Sequence, residues 1–216
     1  MAEDRLSADI SSDASGGAGM GAPGGGLAGR TGPSLEPRPM TVEEMLDRQA
    51  LQQLAWSYCH ACDRQDFKLL RSLYHDDAID DHGPMFCGGP DEYIAWLPSM
   101  LANWSLTSHM ITNMLFLIDG DEAEGELYAI AYHRTHGPDQ REVIAGGRYV
   151  DRYQKRDGVW RFWRRSLVLD WMENRAVPPS EGPGIDDGLS VGRPDGSDPL
   201  FSRLPFFGAQ YGGARP

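Results

Sequence analysis

The chain has 216 residues, 40% of them hydrophobic and 10% aromatic, which is enough apolar material for one domain with a buried core. A formal net charge of −12 argues against nucleic-acid and anionic-membrane partners, both of which select basic surfaces. No apolar run approaches the roughly 18 residues of a membrane span. The N-terminus lacks a secretory signal's basic segment and apolar core, and an odd number of cysteines fits a reducing, cytoplasmic compartment.

Residues 1–40 are dominated by glycine, proline and small polar side chains, too little apolar surface to offset the entropy of ordering, so they read as a disordered leader. Order is expected from Thr41. Thr41-Val42-Glu43-Glu44 has the form of a capping box, with Met40 and Met45 placed for a hydrophobic staple. Leu46, Ala50, Leu54 and Tyr58 then recur every four residues beside Leu51 and Ala55, which predicts an amphipathic helix over 41–63. Asp66 can cap a second, shorter helix whose apolar face is Phe67, Leu69, Leu70, Leu73 and Tyr74. The acidic stretch 75–82 reads as a turn and a short strand. Gly88-Gly89-Pro90 breaks the chain before a third helix over 90–101, anchored by Tyr93, Ile94, Trp96, Leu97 and Met100. Strands follow over 106–118, 123–135, 142–155 and 159–171, with Asp119-Gly120 and Asp157-Gly158 as hairpin turns. Helices first and a meander after predict an α+β fold: three N-terminal helices packed on a curved, mostly antiparallel sheet. From residue 173 the chain is again rich in proline and glycine, yet it keeps Leu200, Phe201, Phe206, Phe207 and Tyr211. Those side chains suit docking over a pocket mouth or onto a neighbouring subunit, with free ends as the simpler reading for the last residues.

Side-chain alternation along 106–118 places His109, Ile111, Asn113, Leu115 and Leu117 on one face and Met110, Thr112, Met114, Phe116 and Ile118 on the other. A histidine and an amide on an aliphatic face are candidates for a pocket wall; a core histidine satisfied by a backbone carbonyl is the plainer alternative. Asp63 ends the first helix, where the helix dipole disfavours a carboxylate, so it calls for a partner. Tyr58, five residues earlier, diverges from it by about 140° on an ideal helix, so both reach one cavity only if the helix forms its wall. His133 shares a strand face with Gly125, Leu127, Ala129 and Ala131, small residues that leave room for a ligand or for close helix packing. Trp96 is a further candidate lining residue. Tyr128, Ile130 and Tyr132 make the opposite face of that strand partly apolar, suited to a second subunit.

Other chemistries find little footing. Asp80 and His82 would share a strand face, but the acidic run lacks the helical histidine spacing of a metal site, and a solvated turn is the better reading. Cys59-His60-Ala61-Cys62 sits at a helix C-terminus, the wrong end for activating a thiolate. There is no phosphate-binding loop and no nucleophile elbow.

The order of elements resembles the SnoaL-like branch of the nuclear transport factor 2-like superfamily. The similarity is carried by Tyr58 and Asp63 with Arg64-Gln65-Asp66-Phe67, by Leu73-Tyr74-His75-Asp76-Asp77-Ala78, and by Thr107-Ser108-His109-Met110-Ile111-Thr112-Asn113. It extends through Gly146-Gly147-Arg148-Tyr149-Val150-Asp151-Arg152-Tyr153, Arg156-Asp157-Gly158-Val159-Trp160-Arg161-Phe162 and Arg193-Pro194-Asp195-Gly196-Ser197-Asp198-Pro199. The resemblance implies a cone-shaped α+β barrel over 41–172, flanked by the leader and a partly docked tail over 173–216. It also implies a cofactor-free, metal-free lyase, a dehydratase or other β-eliminating enzyme, acting on a small hydrophobic cyclic substrate. In that branch Asp63 would orient His109 as general base, Tyr58 would donate to the departing oxygen, and His133, Asn113 and Trp96 would contact substrate. Arg148, or Arg152, would stand for the pocket arginine. Isomerases and cyclases of the branch, a binding module, and a structural subunit of a larger enzyme are the alternatives. The resemblance implies a homo-oligomer, either trimer or dimer.

Overall fold

The structure is a computed structural model and describes residues 33–177 and 188–211. Most of the expected leader, the stretch 178–187 and the last five residues lie outside the described residues. The elements run α1 (Val42–Asp63), α2 (Phe67–Ser72), β1 (Tyr74–Asp81), β2 (Cys87–Gly88), α3 (Pro90–Leu101), β3 (Trp104–Asp119), β4 (Glu122–Thr135), β5 (Arg141–Arg156), β6 (Val159–Ala176), α4 (Pro199–Arg203) and α5 (Pro205–Gln210). Among the described residues no helix is long and apolar enough to cross a membrane.

Local chemistry sets the helix starts. Thr41 Oγ1 accepts the Glu44 amide at 3.1 Å. The reciprocal half of the capping box is not made, because Arg38 and Arg48 both donate to the Glu44 carboxylate instead. Met40 and Met45 stay exposed and staple nothing. Asp66 caps α2 through the Leu69 amide at 3.0 Å. Pro90 occupies the first turn of α3, where its missing N–H costs nothing, and Glu92 reaches back to the Gly89 amide at 2.8 Å.

The six strands form one curved, unclosed sheet in the order β2-β1-β6-β5-β4-β3. All pairings are antiparallel except β1 with β6. α1 lies against β3 and β6, and α3 against β1. Leu51, Leu54, Tyr58, Tyr93, Phe116, Leu127 and Phe162 fill the space between helices and sheet.

Two bulges change which side chains face that space. On β3, Ile111 pairs with Ala129 but Met114 with Leu127, so one extra residue is inserted. His109 and Ile111 point inward before it, and Met114, Phe116 and Ile118 after it. Unbroken alternation therefore fails at Asn113, which is exposed, and Leu115 is 47% exposed. On β6, Phe162 pairs with Tyr153 but Arg164 with Arg152, and the extra residue turns Arg165 inward.

The tail docks on α1 and the α2 cap of its own chain. Asp198 accepts the amides of Leu200 at 2.8 Å and Arg193 at 2.7 Å, and Arg64 reaches both the Arg193 carbonyl and the Asp198 carboxylate. Phe201 and Phe207 pack on the His60 ring at 6.2 and 6.0 Å. With Gln53, Trp56 and Leu69 they wall a groove of about 490 Å³ on the side of α1 that does not face the sheet.

Candidate active site

Asp63 is the last residue of α1, and its side chain turns back onto β3. It accepts three hydrogen bonds: the Thr107 hydroxyl at 3.1 Å, the His109 amide at 2.8 Å and His109 Nδ1 at 2.7 Å. Burial raises its pKa, but the His109 ring and amide and the Thr107 hydroxyl outweigh that, leaving it below the usual 3.8. A carboxylate can only accept, so Nδ1 is the donor in this bond, and in the neutral imidazole Nε2 is then the nitrogen with the free lone pair. This is the partner that a carboxylate at a helix C-terminus required.

His133 stands beside the dyad. Its register partner is Thr107, and its ring meets His109 edge-on at 5.3 Å and Trp104 at 4.9 Å. Burial, and then the neighbouring His109, lower its pKa from 6.5 to about 4, so it is a neutral ring at neutral pH. In the next rows of the inner face Ala131 pairs with Ala145 and Ala129 with Gly147, so this stretch of sheet is paved with side chains no larger than a methyl. Gly147 has a second reason to lack a side chain: an added Cβ would meet the Val168 carbonyl at 2.3 Å.

Tyr58 does not touch His109. Its hydroxyl pairs with that of Tyr93 on α3 at 2.7 Å, and burial pushes its pKa well above 10, so it stays a phenol and can donate. The Arg165 guanidinium lies over its ring at 4.1 Å and over Tyr149 at 4.0 Å. Arg165 is fully buried and paired to Asp151 through two bonds, at 3.0 and 2.8 Å, while Tyr153 donates to the same carboxylate. Its Nη1 has no aligned partner. The sequence reading missed Arg165 because the β6 bulge shifts the alternation set by Trp160 and Phe162. The available signal was Asp151 between Tyr149 and Tyr153, an inward carboxylate that had to find a cation.

The remaining candidates disperse. Arg148 is on the outer face, bridging Glu126 at 2.8 Å and Asp170 at 3.0 Å; Tyr149, Asp151 and Tyr153 take the inward positions of β5. Neither it nor the exposed Arg152, which lies over Trp163, is a pocket arginine. Asn113 is outside as well. Trp96 stacks on Phe86 at 5.2 Å and Tyr93 at 6.0 Å, in the aromatic layer around α3. The acidic run separates: Asp76 binds Arg71, Asp77 binds Arg156, and Asp80 turns inward to Tyr74 and His82. Cys59 and Cys62 are buried, with thiol pKa values pushed up to about 12 and well above 9, so neither is an activated nucleophile.

Comparison with known proteins bears on this geometry. A family model described as a SnoaL-like domain matches residues 43–166, more than half of the chain. A Mycobacterium tuberculosis protein, Rv2910c, is 29% identical over 135 residues, spanning 61% of this chain and 90% of that one. A scytalone dehydratase-like protein from Novosphingobium aromaticivorans superimposes with a TM-score of 0.56 at 25% identity, over 67% of this chain and 98% of its own. The hexachlorocyclohexane dehydrochlorinase LinA Type2 superimposes with a TM-score of 0.59 at 20% identity, over 67% and 99%, a likeness of fold.

Proposed function

The chain belongs to the SnoaL-like domain family, and from that premise we propose that it is a lyase acting by general-base elimination on a small hydrophobic cyclic substrate. The observation that carries this reading is the 2.7 Å bond from His109 Nδ1 to an Asp63 carboxylate that two further donors hold in place. Such a carboxylate fixes the imidazole's tautomer and stabilises the imidazolium that forms when Nε2 takes a proton.

The step is a β-elimination. His109 Nε2 removes a proton from carbon, the C–H electron pair becomes the new double bond, and the bond to the leaving oxygen breaks with its electrons. In this reading Tyr58, whose hydroxyl pairs with that of Tyr93, donates to that oxygen, and Arg165 balances its developing negative charge. Loss of hydroxide with a proton from Tyr58 releases water, and the proton on His109 returns to the phenolate or to solvent. An isomerase would use the same base but return the proton to a different carbon. The scytalone dehydratase-like and dehydrochlorinase relatives favour elimination.

Turnover of cyclic β-hydroxy ketones, followed by enone absorbance, tests the reading. His109→Ala and Asp63→Asn are each expected to lower kcat by about 10²- to 10⁴-fold. Near-native rates in both variants would remove the dyad from the mechanism.

A further inference from the structure

The end of α1 that carries Asp63 is closed by a sharp turn. Arg64 caps the helix, and Gln65 follows with φ at 51°, a left-handed conformation that favours glycine. The Gln65 amide donates to the Cys62 carbonyl at 3.3 Å and the Asp66 amide to the Ala61 carbonyl at 2.9 Å. The chain therefore reverses within three residues of the carboxylate that orients His109. A glutamine in this conformation is strained, and such strain persists only where the surroundings hold it in place. One anchor is α2, which Asp66 caps through the Leu69 amide. The tail is the other.

Arg64 Nη1 donates to the main-chain carbonyl of Asp63 at 3.0 Å and to that of Arg193 at 3.2 Å, and its Nε lies 3.6 Å from Asp198 Oδ2. One guanidinium thus ties the backbone of Asp63 to the tail. Asp198 is 6% exposed; its carboxylate takes the Leu200 and Arg193 amides and faces Arg64, the charge that compensates its burial. The tail is itself a built unit. Tyr211 packs on Phe201 at 4.3 Å, and an added Cβ at Gly208 would collide with the Phe201 carbonyl. Phe201 and Phe207 close on His60, one helical turn before Arg64. The tail therefore grips the last turn of α1 from outside, while Asp63 leaves that turn toward β3. The SnoaL-like family model covers 43–166, and the tail lies beyond it.

We propose that Arg64 and Asp198 are positioning residues of the site: the tail, latched through them, fixes the last turn of α1 and with it the Asp63 carboxylate on Thr107 and His109. Neither residue touches substrate. The kinetic half of the proposal rests on the lyase reading; the geometric half is a property of the Asp63–His109 bond and is read without turnover.

The experiment follows solvent exchange of the His109 Nδ1–H by proton NMR in the full chain, with kcat and KM on the cyclic β-hydroxy ketones alongside. Asp198→Ala and Arg64→Met are each expected to speed that exchange about tenfold or more, the worth of a hydrogen bond to a charged group. Each is also expected to lower kcat by about tenfold or more while KM stays within about twofold. Arg64→Lys, which keeps the charge, is expected to recover part of both losses. Asp47→Asn is the control. At the other end of α1 it loses the bonds from Lys155 Nζ at 3.0 Å and Trp160 Nε1 at 2.8 Å, so it lowers the thermal midpoint without moving the exchange rate or kcat. Should Asp198→Ala fail to give a cooperative thermal transition, Asp198→Asn carries the comparison. Exchange unchanged in the tail variants, or accelerated equally by Asp47→Asn, would overturn the latch, as would a wild-type Nδ1–H that exchanges too fast to observe. Faster exchange in the tail variants of a chain that turns over none of the ketones would keep the latch and reject the elimination. Unchanged exchange with turnover lost in His109→Ala would keep the elimination and reject the latch.

Discussion

The two Asp–His pairs of this interior are held in different ways. Asp63 sits at a helix end, takes three donors and has nothing further to offer. Asp80 sits in mid-strand at 0% exposure, takes one good donor, and faces a histidine at close range in poor alignment. The first arrangement fixes one imidazole orientation and one tautomer, as a base requires. The second closes a carboxylate inside the sheet, against a tyrosine hydroxyl and a histidine and beside the Arg165 strand position. Residue types alone do not separate these roles; how many donors each carboxylate already has does.

The largest perturbation strikes Arg165 and Asp151, buried beside Asp80. Arg165→Met strands the Asp151 charge and is expected to cost about 3–5 kcal/mol in urea unfolding, with part of it recovered in Arg165→Met/Asp151→Leu. A near-neutral single variant would mean that the buried Asp151 carboxylate does not depend on Arg165 for its compensation. Next is the acid response at the other pair. His133 has its folded pKa lowered to about 4 from 6.5. Below pH 6.5 the unfolded chain therefore binds the proton that the folded chain refuses. Stability from this group is complete above pH 6.5 and is lost as pH falls toward 4, by up to about 3 kcal/mol. His133→Gln should flatten that part of the stability–pH curve, and an unchanged slope would mean the ring is solvated. Thr107→Val removes one of the three donors to Asp63 and is expected to cost about 1 kcal/mol, with the Asp63 pKa rising in a carboxylate NMR titration. The smallest effects belong outside the concavity: Asn113→Ala and Arg148→Ala should each change stability by less than about 1 kcal/mol and leave turnover unaltered. A large loss of turnover in either would break the assignment of faces.

Much of this arrangement was legible before any coordinates. The apolar periodicity, the Asp66 cap and the Asp-Gly turns locate α1, α2 and the hairpins to within a few residues, although Leu46 and Ala50 are exposed and the buried face of α1 begins at Leu51 with Leu54, Ala55 and Tyr58. The misplaced carboxylate at Asp63 correctly demanded a partner, because the helix-end penalty is local physics. Asn113 and Arg148 were expected inside and lie outside, Arg165 was not picked out at all, and the two bulges account for Asn113 and Arg165. Alternation is a reliable guide only while the pairing is unbroken, and one inserted residue reverses every later assignment on that strand. Arg148 has another cause: Tyr149 and Asp151 claim the inward positions of β5, which turns Arg148 outward to Glu126 and Asp170. The Glu44 capping box failed for a third reason, since Arg38 and Arg48 offered that carboxylate charged donors in place of a backbone amide.

The methyl-sized paving between the two pairs also has a consequence for selectivity. Gly147 cannot carry a side chain, because an added Cβ would meet the Val168 carbonyl at 2.3 Å, and Ala131 is the register partner of His109 on β3. Ala131 and Ala145 form the floor beside the His109 ring, so a branched residue there narrows the space next to the proposed base. Under the lyase reading, Ala131→Val or Ala145→Val is expected to disfavour fused-ring substrates against single-ring ones, read as the ratio of their kcat/KM values.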